Sequence, residues 1–141
     1  MKVENIYSKD AVTINQTAPL LNAAHLMRDL FVRDVIVVEK ANDQDEIPVG
    51  MLTDRDIVVK VIGNDLAIAS LSVKDIMNTD IITIRKDADI YECLEFMRKK
   101  NISRMPVVDE EGFIKGVISI SDILCELQEV IDNLVEVLKL K

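Results

Sequence analysis

The chain has 141 residues, of which 49% are apolar and 30% charged, so it is long enough for one domain or two very small ones around a sizeable core. Lysines and arginines number 17 against 25 aspartates and glutamates, and the net charge of −8 disfavours surfaces that bind nucleic acids or anionic membranes. No apolar run approaches the ~20 residues of a membrane span, and the N-terminus lacks a signal-peptide core. We therefore expect a cytoplasmic protein without nucleic-acid or membrane partners.

The chain contains two copies of one sequence unit. Residues 1–39 align with residues 71–109 at a spacing of 70 with ten identical pairs, and the spacing falls to 66 after a longer polar turn at residues 40–48. The shorter spacing aligns Gly50 with Gly116 and Asp56 with Asp122. This duplication predicts a first repeat at residues 1–70, a second at 71–127 and a C-terminal helical extension at 128–141.

Each copy predicts the same order of elements, β-α-β-β-α. The first has strands at residues 11–14, 35–38 and 49–52 and a second helix at 55–62, and the second has strands at 81–84, 105–108 and 113–118 and a second helix from residue 122. Because one such unit is marginal alone, we expect an α+β fold in which the repeats pack sheet to sheet with pseudo-twofold symmetry. Cys93 and Cys125 fall at core-type positions and are expected to be buried and inert.

A hydroxyl and a carboxylate recur three residues apart where each third strand meets its second helix. The pairs are Thr53 with Asp56 and Ser119 with Asp122. Such a pair fits a helix N-terminal cap, which needs no ligand. The same helix end also offers free N–H groups to an anion such as phosphate, and a carboxylate one turn into the helix can accept both hydroxyls of a ribose. Both roles can hold together.

These segments resemble the CBS domain, which is named after cystathionine β-synthase. The resemblance rests on SVKDIM (72–77), ITI (82–84), SRMPVVD (103–109) and GVISISDI (116–123), and it covers nearly the whole chain. Two such domains in tandem resemble a CBS pair, a regulatory module that typically binds adenosine-containing ligands in the cleft between its halves. We expect a stand-alone pair, without a catalytic, kinase, channel or transporter domain.

The resemblance implies a ligand site for each repeat, in which the hydroxyl binds phosphate and the aspartate binds ribose. For the second repeat it implies a site at Ser119, Ser121 and Asp122, with Arg104 binding phosphate beside Pro106, and with adenine near Ile82, Ile102, Ser103 and Met105. For the first repeat it implies Thr53, Arg55 and Asp56, with adenine near Val12, Val32, Arg33 and Val35.

The first repeat departs from the family pattern. Asp34 and Ile36 stand where the second repeat has Arg104 and Pro106. A carboxylate at the phosphate end would repel a nucleotide, although a neighbouring arginine could compensate locally. We therefore expect ligand at the second-repeat site before the first. Arg104 could also be a solvated residue at the edge of its strand.

The last helix continues past the repeat with an apolar stripe. Its members recur at alternating spacings of three and four: Leu124, Leu127, Ile131, Leu134 and Leu138, flanked by Ile123, Val130, Val135 and Val137. The stripe fits either an amphipathic helix that folds back on its own domain or a surface for a partner. Since CBS pairs generally form flat homodimers, the resemblance implies a homodimer, and an unknown protein partner stays open.

These features predict a non-enzymatic sensor of AMP, ADP, ATP or another adenosyl compound such as S-adenosylmethionine, with no catalytic cofactor and no metal. The alternative is an interaction scaffold whose nucleotide sites are vestigial, which the irregular first site and the apolar tail favour. An enzyme is disfavoured because the chain lacks a phosphate-binding P-loop, a nucleophile elbow and a zinc-protease motif.

Overall fold

The computed structural model describes all 141 residues and contains two mixed three-stranded sheets. Their strands are β1 (Thr13–Asn15), β2 (Asp34–Lys40), β3 (Glu46–Thr53), β4 (Ile84–Arg85), β5 (Arg104–Val108) and β6 (Ile114–Ser119). In each sheet the first strand runs parallel to the middle one and the third runs antiparallel to it. The predicted α+β fold with two equivalent halves is confirmed.

The helices follow the predicted order. They are α1 (Leu20–Leu30), α2 (Asp54–Asp56, which continues with π-helical winding over Ile57–Ile62), α3 (Val73–Ile76), α4 (Ile90–Lys100) and α5 (Ile120–Lys139), with 3-10 turns at Val3–Asn5 and Ile68–Ser70. None of them combines the length and the apolarity that crossing a bilayer requires.

The middle strands are buried on both faces. Successive side chains of a strand point to opposite faces, and in these two strands consecutive side chains are buried. Val35 and Val37 of β2 pack into a core with α1 and α2, while Ile36 and Val38 are buried on the other face. In β5, Met105 and Val107 belong to a second core, and Pro106 and Val108 are buried opposite them. The two sheets meet along β3 and β6.

The segment before each first strand crosses to the other half. Ser8 pairs with Val117 of β6 through two backbone hydrogen bonds of 2.9 Å, and Asn78 pairs with Met51 of β3 in the equivalent way. The turn at Val3–Asn5 accordingly contributes to the second core, and α3 contributes to the first. The two halves are therefore interlocked rather than merely adjacent.

The two cysteines lie in different environments. Cys93 is buried in the second core, where burial raises the pKa of its thiol to about 11 and keeps it protonated at neutral pH. Cys125 is exposed on α5, so its predicted burial is wrong. Ile123 packs against the second core, and two residues further along a helix of about 100° per residue, the Cys125 side chain points away from it.

Candidate ligand-binding clefts

Reciprocal caps hold the start of both second helices. The Ser119 hydroxyl accepts a hydrogen bond from Asp122 N at 3.2 Å, and Asp122 Oδ2 accepts from Ser119 N at 2.8 Å and from Ser119 Oγ at 2.9 Å. At α2, Asp56 Oδ2 accepts from Thr53 N at 2.9 Å, and the Thr53 hydroxyl accepts from Asp56 N at 3.1 Å. The capping role that the sequence allows is thus present at both sites.

One cleft, called the Ser119 cleft below, has a volume of 220 Å³ and lies between the halves. Ser119 and Asp122 from the second repeat face Val12 and Val32 from the first. Its lining residues are Ser8, Asp10, Val12, Val32, Asp34, Ile36, Arg104, Val117, Ser119 and Asp122. Asp122 therefore lines a groove between the halves that side chains do not fill.

The pseudo-symmetric counterpart, called the Thr53 cleft below, has a volume of 440 Å³. Here Thr53 from the first repeat faces Ile82, Ile102 and Ser103 from the second. Its lining residues are Asp34, Met51, Thr53, Asn78, Asp80, Ile81, Ile82, Lys100, Asn101, Ile102, Ser103 and Arg104. Asp56 is not among them.

The clefts combine the two repeats crosswise. The resemblance attributes a cap and a set of adenine-facing positions to each repeat, and the structure brings the cap of one repeat to the apolar positions of the other. Val12 and Val32 lie across from Ser119, while Ile82 and Ile102 lie across from Thr53. Each cleft exists only because the halves pack together.

The two cap aspartates differ in their second oxygen. Asp56 Oδ1 lies 3.4 Å from Lys60 Nζ, and the same ammonium donates to the Ile76 carbonyl at 3.1 Å. Position 126, which aligns with Lys60, is a glutamate, and Asp122 Oδ1 makes no hydrogen bond or ion pair within the protein. Of the two cap aspartates, only Asp122 has a carboxylate oxygen without a partner in the protein.

Arg104 is exposed at the start of β5, and it also crosses the junction between the repeats. Its Nη1 donates to Asp34 Oδ1 at 2.8 Å. Both residues line both clefts, so the ion pair forms part of the wall between them.

The remaining predicted residues lie outside the two clefts. The side chains of Val35, Met105 and Pro106 are fully buried in the protein interior and line neither cleft. Arg33 is exposed and pairs with Asp54 at 3.3 Å, and Arg55 is exposed on α2. Ser121 and Arg33 line an adjoining groove, which shares Asp34, Arg104 and Ser119 with the Ser119 cleft.

Several residues that line the clefts were not predicted from the sequence. They are Ser8 and Asp10 in the Ser119 cleft and Asn78, Asp80 and Lys100 in the Thr53 cleft. The identity of Asp10 and Asp80 at equivalent positions of the repeats was the available signal, since no core role explains a repeated acidic residue there. The chain brings no three His, Cys, Asp or Glu side chains into a group that could hold a metal ion.

Comparison with known proteins agrees with this architecture. The family model described as CBS domain matches residues 3–63 and again residues 73–129. The chain belongs to the CBS domain family. It is similar to an uncharacterised protein of Methanopyrus kandleri, with 32% identity over 124 residues, and the match covers 88% of this chain but 61% of that relative. The chain thus spans less than two thirds of that protein.

Solved CBS structures share the tandem fold. A hexameric CBS-CP12 protein from bloom-forming cyanobacteria is 28% identical with a TM-score of 0.68, and the match covers 88% of this chain and 66% of that one. A CBS domain pair in complex with 5′-methylthioadenosine and S-adenosyl-L-methionine is 24% identical with a TM-score of 0.73, covering 92% and 97%, a likeness of fold alone. The chain is therefore a tandem CBS pair.

Proposed function

We propose that this CBS pair binds an adenosyl ligand, such as AMP, ATP or S-adenosylmethionine, in the Ser119 cleft and acts as a sensor rather than an enzyme. The observation that carries the proposal is Asp122, which lines a cleft between the halves together with apolar side chains and whose Oδ1 makes no hydrogen bond within the protein. The related CBS pair with 5′-methylthioadenosine and S-adenosyl-L-methionine supports the same ligand class.

The chemistry of the cleft matches the three parts of such a ligand. Asp122 Oδ1 can accept hydrogen bonds from both ribose hydroxyls without disturbing the cap, which uses Oδ2. Val12 and Val32 offer apolar contacts to the flat faces of adenine. The N-terminus of the 20-residue helix α5 and the Arg104 guanidinium offer positive charge to a phosphate.

Ligand entry requires the cleft to widen. At 220 Å³ the Ser119 cleft is smaller than the ~300 Å³ lower limit typical of small-molecule sites. Since one wall belongs to each half, a bound ligand would change the angle between the halves, and a partner could read that change. A ligand that binds only the widened state shifts the population toward it.

Calorimetric titration and thermal unfolding with AMP, ATP, S-adenosylmethionine and 5′-methylthioadenosine test the proposal. A ligand at 100 times its Kd adds ~2.7 kcal/mol to the free energy of unfolding, which raises Tm by several degrees. Asp122→Asn should weaken binding about tenfold or more, because it removes a charged hydrogen-bond acceptor. The matched variant Asp56→Asn should leave binding at the Ser119 cleft unchanged. If none of the four ligands binds the wild-type protein, the proposal fails.

A second candidate function, association through α5, has a separate basis. None of the 20 residues of α5 is buried, although its apolar stripe runs from Leu124 to Leu138. In proteins most of the stability of a helix comes from packing its apolar face, and most of this stripe has no such packing within the chain. A surface groove of 820 Å³ lies between α4 and the start of α5 and is lined by Tyr91, Leu94 and Ile120 among others, so the apolar surface extends beyond α5.

We propose a second copy of this chain as the occupant of that surface. Exposed cations end α4 (Arg98, Lys99 and Lys100), while α5 carries exposed acids, so the acidic helix of one copy complements the basic helix end of another. The hexameric CBS-CP12 relative supports self-association without fixing the number of copies. A homodimer is the simplest assembly that covers the stripe.

Light scattering coupled to size-exclusion chromatography tests this assembly. Leu134→Glu should convert the assembly to monomers, because it places a charge in the apolar interface. Asn133→Glu introduces the same side chain on the polar side of the same turn and should preserve the assembly. A wild-type protein that is monomeric at about 100 µM would contradict self-association and favour a different protein as the partner.

A further inference from the structure

Asp34 and Arg104 occupy the same position in the two repeats but carry opposite charges. Each begins the middle strand of its sheet, and the two are separated by the repeat spacing of 70 residues. Each also lies directly across from a cap hydroxyl, since Asp34 pairs with Thr53 and Arg104 pairs with Ser119 in the strand register. One pseudo-symmetric pair of positions has therefore become an ion pair between the halves.

This ion pair engages the cation that a phosphate would need. In the Ser119 cleft three aspartates, at positions 10, 34 and 122, accompany Arg104 as the only basic lining residue. The Arg104 guanidinium is held at 2.8 Å by Asp34 and not by the Ser119 side of the cleft. Because Asp34 engages only Nη1 of the guanidinium, a ligand phosphate would either share Arg104 with Asp34 or displace it, and in both cases it meets the Asp34 carboxylate in the wall of the same cleft.

We propose that Asp34 is a specificity-determining residue that competes with ligand phosphate for Arg104. It lowers the affinity for phosphate-bearing adenosyl ligands relative to uncharged ones, which make no demand on Arg104. The inference rests on the proposed adenosyl-ligand function and concerns which ligands of that class the cleft prefers.

The size of the effect follows from the exposure of the pair. The Arg104 and Asp34 side chains are 42% and 29% exposed, so solvent screens their attraction. Measured coupling of such partly exposed ion pairs corresponds to an affinity factor of about two to five. The competition is thus weak enough for a nucleotide to overcome and large enough to measure by titration.

The experiment titrates AMP and the uncharged 5′-methylthioadenosine into wild-type protein and four variants, one of them a double variant. Asp34→Asn should tighten AMP binding about two- to fivefold and leave 5′-methylthioadenosine within a factor of about two. Arg104→Gln should weaken AMP binding and spare 5′-methylthioadenosine, and adding Asp34→Asn to it should give no further gain for AMP. Asp43→Asn makes the same charge change in the exposed β2–β3 turn and should alter neither affinity.

The outcomes separate this inference from the function on which it rests. If both ligands bind but Asp34→Asn changes neither affinity, or changes both by the same factor, the specificity role of Asp34 is wrong and the adenosyl function stands. The specificity role is equally wrong if Asp43→Asn tightens AMP binding as much as Asp34→Asn, since net charge would then explain the gain. If neither AMP nor 5′-methylthioadenosine binds the wild-type protein or any variant, the specificity role of Asp34 is wrong, and the adenosyl function falls as well if ATP and S-adenosylmethionine also fail to bind.

Discussion

The second helices of the two repeats begin alike and then diverge. Both start at a reciprocal hydroxyl–carboxylate cap. Helix α2 then buries Ile57 and Val61 in the first core and ends before Gly63, whereas α5 runs for 20 residues without burying one. The first repeat uses its second helix to complete its own core, and the second repeat leaves that helix available to others. The two repeats thus share the reciprocal cap and differ in whether the helix that follows it is buried.

The same divergence reaches the caps themselves. In the first repeat Lys60, one turn after Asp56, ties the carboxylate to α3 through the Ile76 carbonyl. In the second repeat Glu126 occupies that position, and Asp122 keeps an oxygen free. The structural cap Asp56 and the candidate binding group Asp122 thus differ in one neighbouring side chain. Substitutions at equivalent positions can measure how far the stability and ligand binding of the two halves differ.

The largest expected effect concerns the glycines at the crossing segments. A methyl group at Gly116 would collide with the Ser8 carbonyl and the Tyr7 ring, while one at Gly50 would meet Met77 Sδ at 2.8 Å and Asn78 O at 2.9 Å. We expect Gly116→Ala to lower the free energy of unfolding by about 3 kcal/mol and Gly50→Ala by about 1 kcal/mol. Urea unfolding measures both, and a larger loss for Gly50→Ala would contradict the difference.

A second prediction compares equivalent positions of the two second helices. Val61 is 1% exposed and its counterpart Leu127 is 50% exposed. Val61→Ala should lower the free energy of unfolding by about 2 kcal/mol, because it removes two buried methyl groups. In monomeric protein Leu127→Ala should change it by less than about 0.5 kcal/mol.

A loss of more than about 0.5 kcal/mol in Leu127→Ala would have two explanations: α5 is covered by a second copy, or it packs on its own domain. Measurements at several protein concentrations distinguish them. Urea unfolding of Leu127→Ala at several protein concentrations should show a loss that grows with concentration if a second copy covers α5. A loss equal to that of Val61→Ala at every concentration would show that α5 packs on its own domain, contrary to the structure.

Local patterns in the sequence were sufficient for most of the fold and for the caps. Short apolar runs in each repeat predicted the strands, and the hydroxyl–carboxylate spacing predicted both helix starts. Both features depend on residues close in sequence. Strand bounds shifted, since the apolar pattern predicts β1 at residues 11–14 and Thr13–Asn15 is observed. Hydrogen bonding to β2, and not local apolarity, sets where β1 begins and ends.

Contacts between the repeats could not be predicted from the sequence. The crosswise composition of the clefts depends on how the halves pack, and the partner of Arg104 lies 70 residues away. Met105 and Val35 alternate with neighbours that are buried as well, so period two does not tell which side of the strand faces a cleft.

A third prediction concerns the ends of α1 and α4. Phe31 and Asn101 are equivalent residues in the left-handed conformation, with φ of 54° and 53°, and Phe31 is 94% exposed. Asparagine tolerates this conformation better than phenylalanine. Phe31→Asn should therefore raise the free energy of unfolding by about 0.5 kcal/mol, and Asn101→Phe should lower it. Thermal unfolding of the two variants checks the signs, and a loss in Phe31→Asn would mean that the ring is packed in solution.

The smallest expected effect comes from giving Asp122 the same neighbour that Asp56 has. Glu126→Lys places an ammonium one turn after Asp122, as Lys60 stands after Asp56, and should occupy the free Oδ1. We expect it to weaken adenosyl-ligand binding about two- to threefold, which is the strength of a partly exposed i,i+4 pair, and to leave stability nearly unchanged. Glu126→Gln removes the same negative charge without supplying a partner and should not weaken binding. Equal weakening by both variants would show that the charge of Glu126 matters and that the freedom of Asp122 Oδ1 does not.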